Sequence, residues 1–370
     1  MASVSEFDVG DEIALAVASP LARPRRGIAA VVVSVFVCYL TWLVVSDRAR
    51  IDRAMLRFQG AKLRWLFAAV AFGLLSQITG ALVQHALLRR AGTPTSVRST
   101  FAFVFAQNAV SFVTPGGPVA ANAYAYRWLR NRGTDAAVAA WALTAINLVT
   151  FFAIASFCLL AVTGISASGA ASLAVLVVLL ATVVLVVRAP ARFRRALTGA
   201  IRVQRRVRRR DTADAAIAAD RFAERLSVID VRPRDLTLTA VLAFTSVAAD
   251  CAVWIAASHA MITIPTRCDT VPAGRPVPAV CRNVRLPATA DDLLAYASGQ
   301  AATAVPFVPG GIGVVEPAMT AALTARHIRP VPALSAVLLY RLISSWAILL
   351  IGAVCWLALR RGRPTSQRAP

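Results

Sequence analysis

The sequence predicts an all-α fold: a polytopic membrane helical bundle with two inverted repeats and two re-entrant helix pairs. The first reason is composition, because 58% of the residues are hydrophobic and only 16% are charged, whereas soluble domains are roughly 45–50% apolar. The second is that several apolar runs reach about 20 residues, the length that a spanning helix needs. The third is a Pro-Gly-Gly turn that occurs once in each half of the chain.

The formal net charge of +22 raises the question of a nucleic-acid partner. The arginines, however, lie in the connections between apolar runs, where the positive-inside rule places them. The sequence has no nucleic-acid motif of the usual kinds, no Gly-rich nucleotide loop and no nucleophile elbow. Its three histidines are scattered and form no metal-binding spacing. We therefore predict a membrane protein without a nucleic-acid partner, a cofactor, a metal or a catalytic residue.

The first half of the chain is predicted to hold a cytoplasmic segment and four spans. Residues 1–26 are polar and are followed by no cleavage site, which favours a retained first span over a signal peptide. The first membrane half covers 27–188, with a re-entrant pair at 100–130 around the first Pro-Gly-Gly turn. The arginine-rich connection between the first two spans predicts an external amphipathic helix. The spans are predicted at 27–45, 65–88, 136–162 and 170–187.

A basic cytoplasmic linker at 189–235 separates the two halves and is the strongest orientation signal in the chain. Two interpretations are open for it: a helix that lies on an anionic leaflet through an apolar stripe, or a solvated loop. Both termini are predicted to be cytoplasmic. The second membrane half is predicted at 236–360, with spans at 236–264 and 331–359 and a re-entrant pair at 291–325. The tail follows at 361–370.

Two of the six cysteines, Cys268 and Cys281, share one polar, proline-rich connection that follows an outward span. They predict a disulfide if this connection faces an oxidising compartment. A metal site is less favoured, because it would need more ligands than this pair supplies. The other four cysteines lie in apolar runs, which is typical of small core residues.

The two Pro-Gly-Gly turns belong to an internal repeat. At the offset that superposes the turns, Asn122 aligns with Glu316, and Asn147 aligns with Arg341. An odd number of predicted spans separates the turns, so the second repeat is expected to be inverted. A helix that restarts after each turn presents free N–H groups and a positive dipole end, which suit a phosphate. The alternative is that the turns only kink their helices. The glycines concerned are Gly116, Gly117, Gly310 and Gly311.

These segments resemble the flippase-like family, also called the lysylphosphatidylglycerol synthase transmembrane family. The resemblance is carried by Phe112–Tyr126, by Pro306–Ala322 and by the placement of Arg341 after the second segment. It extends over most of the chain, from about Arg26 to Arg360. It implies the movement of lipid-linked, phosphate-bearing molecules between leaflets.

The chain also departs from the family pattern. Bifunctional members carry a soluble aminoacyltransferase domain after the membrane part, and this chain is expected to represent the membrane part alone. The family commonly has an acidic residue after the first Gly-Gly and an arginine in the following span. Here Asn122 and Asn147 occupy those positions, which argues against a two-fold symmetric substrate clamp.

Charged residues inside apolar runs are costly and point to function. Arg341 is expected to hold a lipid phosphate, or to form a structural ion pair with Asp250 or Glu316. Asp250 is expected to pair with Arg341 or to carry a coupling proton. Glu316 either is stabilised by the helix dipole or exchanges a proton during transport.

Three further polar residues are candidates with two interpretations each. Asn122 and Asn147 would hydrogen-bond either a headgroup or another helix, and the helix contact is favoured. Arg127 would bind phosphate at the cytoplasmic mouth or, as the favoured interpretation, anchor its helix by the positive-inside rule.

Taken together, these features predict a flippase for an anionic lipid, either a phospholipid or a polyprenyl-phosphate-linked sugar, that works by alternating access in a bacterial inner membrane. One alternative is a membrane glycosyltransferase with a lipid-phosphate donor, since Asp47 and Asp52 lie in the first external loop. A second alternative is a non-catalytic partner of a cell-envelope enzyme, for which the basic linker would supply the docking surface.

Overall fold

The computed structural model describes residues 62–163, 233–262, 286–303 and 308–361, apart from the single positions 91, 94 and 115. Several predictions lie outside the described residues. They are the cytoplasmic segment 1–26, the first span at 27–45, the external amphipathic helix, the span at 170–187, nearly all of the basic linker, the Cys268–Cys281 disulfide and the tail.

The described part of the chain is all helical and holds eight helices, which we number α1 to α8. Their bounds are α1 Leu63–Arg90, α2 Val97–Val113, α3 Gly117–Arg130, α4 Ala136–Thr163, α5 Pro233–Met261, α6 Thr289–Thr303, α7 Val315–Ala325 and α8, which begins as Pro330–Arg341 and continues through a π-helical turn (Leu342–Trp346) to Ala347–Arg361. A 3-10 turn, Pro309–Gly311, stands between α6 and α7.

Four of the predicted spans are helices long and apolar enough to cross a bilayer: Leu63–Arg90, Val138–Leu159, Thr237–Met261 and Pro330–Leu359. Their outer faces carry large exposed hydrophobic side chains, such as Phe67 at 67% and Leu350 at 70% exposure. Such faces have no place in water and are matched to hydrocarbon. The chain is therefore a multi-pass membrane protein.

Contacts between helices define their relative directions. Arg90 at the end of α1 pairs with Asp235 at the start of α5 at 2.5 Å, and the N–H of Lys62, just before α1, donates to the carbonyl of Ala260 near the end of α5 at 3.4 Å. Helices α1 and α5 are therefore antiparallel. Helix α2 is antiparallel to α1, since Asn108 donates to Gln77 at 3.3 Å while the earlier residue Thr100 contacts the later His85 at 3.2 Å.

Two helical hairpins, α2–α3 and α6–α7, are built around the Pro-Gly-Gly turns. At the open end of the second hairpin, Arg326 pairs with Asp291 at 2.6 Å. The tips of the two hairpins meet, because a Cβ on Gly310 would lie 2.7 Å from the Phe112 ring. Helix α5 is antiparallel to both α1 and α6, so α1 and α6 run in the same direction. Helix α2 is antiparallel to α1 and therefore also to α6. The two hairpins therefore approach each other from opposite directions.

The hairpin helices begin earlier than the sequence predicted. Helix α2 starts at Val97 rather than Thr100 because Ser96 caps it, accepting a hydrogen bond from the Ser99 N–H at 3.2 Å. The last span also departs from a regular helix. Its π-helical turn begins directly after Arg341, and sequence periodicity does not reveal such a turn.

A hydrophobic core cluster packs the first hairpin against α1 and α4. Leu88, Phe103 and Leu129 are essentially unexposed there, and Leu359 packs on the same cluster. Close approach between α2 and α8 depends on Gly352, where a Cβ would lie 2.2 Å from the carbonyl oxygen of Phe105. Backbone cannot move aside as a side chain can, so only glycine fits at this crossing.

We expect Gly352→Ala to lower the free energy of unfolding by about 1–3 kcal/mol, the usual cost of overpacking, because α2 and α8 must separate to admit the methyl group. Thermal unfolding of the purified protein in detergent measures the loss. The matched control is Ala353→Val, which adds carbon at the neighbouring exposed position of the same helix. Equal melting temperatures for the two variants would contradict the close helix crossing.

Candidate functional site

Arg341 lies at the centre of the candidate site, at the end of the regular first part of α8. It is 4% exposed. Its Nε donates to Glu316 Oε1 at 3.0 Å, and its Nη2 donates to the carbonyl oxygen of Gly310 at 2.5 Å. Of the two ion-pair partners that the sequence allowed, the structure therefore selects Glu316, not Asp250. The arginine ties the second Pro-Gly-Gly turn to α8.

Glu316 lies in the first turn of α7 and holds the turn together. While Oε1 accepts from Arg341, Oε2 accepts from the backbone N–H of Gly313 at 2.7 Å. The turn needs glycine because Gly310, Gly311 and Gly313 have φ values of 59°, 66° and 82°, in the left-handed region. The N–H of Gly313, just before the N-cap of α7, is thus taken by Glu316 in this conformation.

The first hairpin repeats this arrangement without charge. Asn147 in α4 donates to Asn122 in α3 at 3.0 Å, and these are the positions that align with Arg341 and Glu316. Gly116 precedes α3 in the left-handed region with φ 70°. A Cβ on Gly117 would lie 2.0 Å from the carbonyl oxygen of Ser111, so this position also needs glycine. The two asparagines contact each other across helices, as the favoured interpretation held.

Asp250 belongs to a separate polar cluster beside the Arg341 site. Its Oδ2 accepts from the hydroxyl groups of Tyr296 and Tyr340, each at 2.9 Å, and from Gln300 at 3.4 Å. Sequence reasoning missed both tyrosines. The available signal was that Tyr340 directly precedes Arg341, so two polar groups enter the interior from adjacent positions of α8.

An apolar groove of about 560 Å³ opens beside Arg341. Its walls come from α1, α2, the second turn and the π-helical part of α8, and they are almost entirely apolar. Sequence analysis missed the groove, because its walls come from segments distant in the chain. The lining includes Val70, Gly73, Leu74, Gln77, Phe105, Phe112, Ile312, Arg341, Leu342, Ser345, Trp346 and Ala347.

Other candidates lie apart from this site or outside the described residues. Arg127 is exposed in the last turn of α3, five residues beyond Asn122, and no hydrogen bond of its side chain links it to Arg341. Cys268 and Cys281 fall in a part of the chain that the structure does not describe. Among the residues it does describe, no group of His, Cys, Asp and Glu could hold a metal ion.

Comparison with known proteins identifies the family. The sequence matches the family described as "Lysylphosphatidylglycerol synthase TM region" over residues 27–266 and 276–352, which confirms the resemblance drawn from the two Pro-Gly-Gly segments. A search of curated proteins finds no match. The family match spans both hairpins, Arg341, Glu316 and Asp250.

We expect the Arg341–Glu316 pair to stabilise the fold as a unit. Arg341→Gln or Glu316→Gln alone leaves a buried charge without its partner, which costs roughly 3–5 kcal/mol. The double variant removes both charges, so we expect it to lose less than the sum of the two single losses. Melting temperatures of all four proteins in detergent measure this coupling. Additive losses would show that the two side chains do not interact.

Proposed function

The chain belongs to the lysylphosphatidylglycerol synthase TM region family, and from this premise we propose that it is a transporter that moves an anionic, phosphate-bearing lipid between membrane leaflets. The family supports a membrane function related to lipids. The flippase activity, the phosphate and the mechanism described below are our proposal. The cargo is a phospholipid or a polyprenyl-phosphate-linked sugar.

One observation carries the proposal: a buried arginine lies against an open apolar groove. A lipid has the same two parts, an apolar chain and a charged headgroup. The groove walls offer a chain the contacts that it has in the bilayer. Arg341 offers a phosphate planar, bidentate donors. Ser345 and Gln77 also line the groove and add polar residues to its lining.

Arg341 is held ready for an anion by an exchangeable partner. A central arginine costs roughly 2.5–3.5 kcal/mol on insertion scales, and Glu316 offsets this cost in the structure. A lipid phosphate is a second anion of the same kind. It competes with Glu316 for the guanidinium, and Glu316 retains its hydrogen bond from the Gly313 N–H. The arginine therefore never lacks a counterion while the lipid enters and leaves.

The two hairpins suggest how the site gains access to both leaflets. We propose that they are re-entrant pairs of an inverted repeat, in which the Arg341–Glu316 contact corresponds to the Asn147–Asn122 contact. Their tips meet at Phe112 and Gly310, so a rocking motion about this contact would open the groove to one side and then to the other. Of these two corresponding contacts only the second is charged, so the phosphate binds asymmetrically.

We place the protein in a bacterial inner membrane with both termini in the cytoplasm, because the arginine-rich connections follow the positive-inside rule in this orientation. The glycosyltransferase alternative depends on Asp47 and Asp52, which lie outside the described residues. The assembly-partner alternative depends on the basic linker, nearly all of which also lies outside them. Neither alternative requires a buried arginine beside an apolar groove.

We expect Arg341→Gln to lower the initial rate of lipid movement at least tenfold, because a neutral amide cannot replace the guanidinium as a phosphate ligand. Proteoliposomes with fluorescent phosphatidylglycerol or labelled polyprenyl phosphate measure the rate. The control is Arg89→Gln, the same chemical change at an exposed position at the end of α1. Equal rates for wild type and Arg341→Gln would overturn the proposed function, provided that both proteins are folded.

We expect Ala347→Phe to slow lipid movement several-fold while leaving Arg341 in place, because Ala347 lines the groove and a phenyl ring would occupy the space of the lipid chain. The matched control is Ala353→Phe, which adds the same ring to an exposed position of α8 away from the groove lining. Equal slowing by both variants would show that the groove holds no lipid chain.

A further inference from the structure

Helices α5 and α6 face each other with two stripes of polar side chains. On α5, Asp250 and Ser258 lie eight residues apart, two turns along one face, with Trp254 midway. On α6, Asp292, Tyr296 and Gln300 follow the same spacing. The helices are antiparallel, so the stripes meet along about 12 Å of helix axis. We call this contact the polar seam.

One end of the polar seam is hydrogen-bonded, because Asp250 Oδ2 accepts from Tyr296, Tyr340 and Gln300. The middle is held by Trp254, whose indole N–H donates to the backbone carbonyl of Asp292 at 2.8 Å. The ring of Trp254 also packs edge-on against Tyr340, with centroids 5.9 Å apart.

The other end of the seam is not satisfied. Asp292 is fully buried at 0% exposure, and neither of its carboxyl oxygens has a hydrogen-bond partner among the described residues. The Ser258 hydroxyl, also at 0% exposure, lies close enough to this carboxyl to stabilise its charged form weakly, but the two groups do not reach ordinary hydrogen-bond geometry. The preceding residue differs: Asp291 pairs with Arg326 and accepts from the Ala288 N–H at 3.0 Å.

An ionised carboxylate without a partner is too costly to keep buried, and the group takes up a proton instead. Folding alone does not explain Asp292, since Asn or Leu at this position would remove the cost. A multivalent cation is a poor occupant, because hard cations need six or more oxygen ligands. Asp292 and Ser258 supply far fewer, and no metal-binding group exists among the described residues.

The polar seam ends near His259 on one side and near Arg341 on the other. His259, next to Ser258, is exposed and acts electrostatically on Asp292. Its Nδ1 lies 2.8 Å from the Ile255 carbonyl, and its ring packs on Trp65 with centroids 4.8 Å apart. The Asp291–Arg326 pair flanks Asp292 on α6 and α7.

At the other end of the seam, polar and titratable groups face Asp250 from three neighbouring helices and from α5 itself. Tyr340 and Arg341 approach from α8, and Tyr296 and Gln300 from α6. Cys251 is its neighbour on α5, and Cys158 approaches Cys251 from α4. Arg341 is the only cation in this set.

We propose that the polar seam is a proton pathway from His259 through Asp292 to Asp250, which interacts electrostatically with Arg341, and that proton movement along it drives lipid movement. This inference rests on the transport function proposed above. It assigns an energy source and a proton site to residues that the lipid site itself does not use.

The proposed steps conserve every proton. A proton from water passes through the His259 imidazole to the Asp292 carboxylate, which becomes a neutral acid. Asp292 then gives a proton to the Tyr296 hydroxyl oxygen as that hydroxyl gives its own proton to Asp250. Protonated Asp250 no longer attracts the Arg341 guanidinium. Arg341 then exchanges Glu316 for the lipid phosphate as its counterion. When Asp250 ionises again, its proton leaves to water on the opposite side of the membrane, which completes the cycle.

The first experiment measures the proton site without transport. Infrared difference spectra of the purified full chain, recorded as the pH is stepped, report the carbonyl band of a protonated carboxylic acid. We expect wild type to show a titrating buried band that Asp292→Asn lacks. The control Asp135→Asn makes the same change at an exposed carboxyl before α4 and should leave the band intact. Asp292→Asn removes no hydrogen bond, so we expect it to fold.

The second experiment measures coupling in proteoliposomes with fluorescent phosphatidylglycerol. An inward and an outward gradient of one pH unit should change the initial rate of wild type and of Asp135→Asn several-fold, in opposite senses. The initial rate of the Asp292→Asn variant should be the same under the inward and the outward pH gradient. A rate in wild type that follows a sodium gradient and ignores the pH gradient would overturn the proposal.

The two experiments separate two kinds of failure. Lipid movement without a titrating band, and without any effect of the pH gradient, would overturn the proton pathway and leave the flippase in place. A titrating band lost in Asp292→Asn, in a protein that moves no lipid of any tested class, would overturn the transport function and its coupling together.

Discussion

The buried ion pair between Arg341 and Glu316 is the interaction on which the rest of the structure depends. An arginine in the interior of a membrane bundle is tolerated only when its donors are satisfied. Here a carboxylate and the Gly310 carbonyl satisfy two of them. These contacts fix the second Pro-Gly-Gly turn against α8, and they bring the start of α7 beside the point where α8 enters its π-helical turn. A π-helical turn often marks a functional position, and this one forms part of the groove wall.

The glycines make this closeness possible. Gly310 lies in the left-handed region and has no side chain to separate the tip of the second hairpin from Phe112. Gly352 lets α8 pack directly on the α2 backbone. Without hydrophobic driving force inside a bilayer, close packing and interhelical hydrogen bonds hold helices together. Small residues at these crossings therefore determine how closely α8 and the second turn approach α2.

The two Pro-Gly-Gly hairpins each make a side-chain contact to the helix that follows, but the two contacts differ in chemistry. Asn122 and Asn147 form a neutral contact where the second half has a carboxylate and a guanidinium. The neutral contact links α3 to α4 without the desolvation cost of a charge pair. The first half thus supplies a hairpin whose tip packs on the second, while the second half holds all the charges of the site, including the polar seam around Asp250.

The sequence by itself determined the helical class, four of the described spans, the two Pro-Gly-Gly hairpins and the family, because apolar length and backbone-breaking residues act locally. It also singled out Arg341, Glu316 and Asp250, since a charge within an apolar run stands out wherever the run packs. Only the tertiary structure decided that Arg341 pairs with Glu316 and that Asp250 turns to two tyrosines. It alone produced the groove and the unpartnered Asp292, because both arise where helices distant in the chain come into contact, and local sequence patterns carry no record of which faces meet.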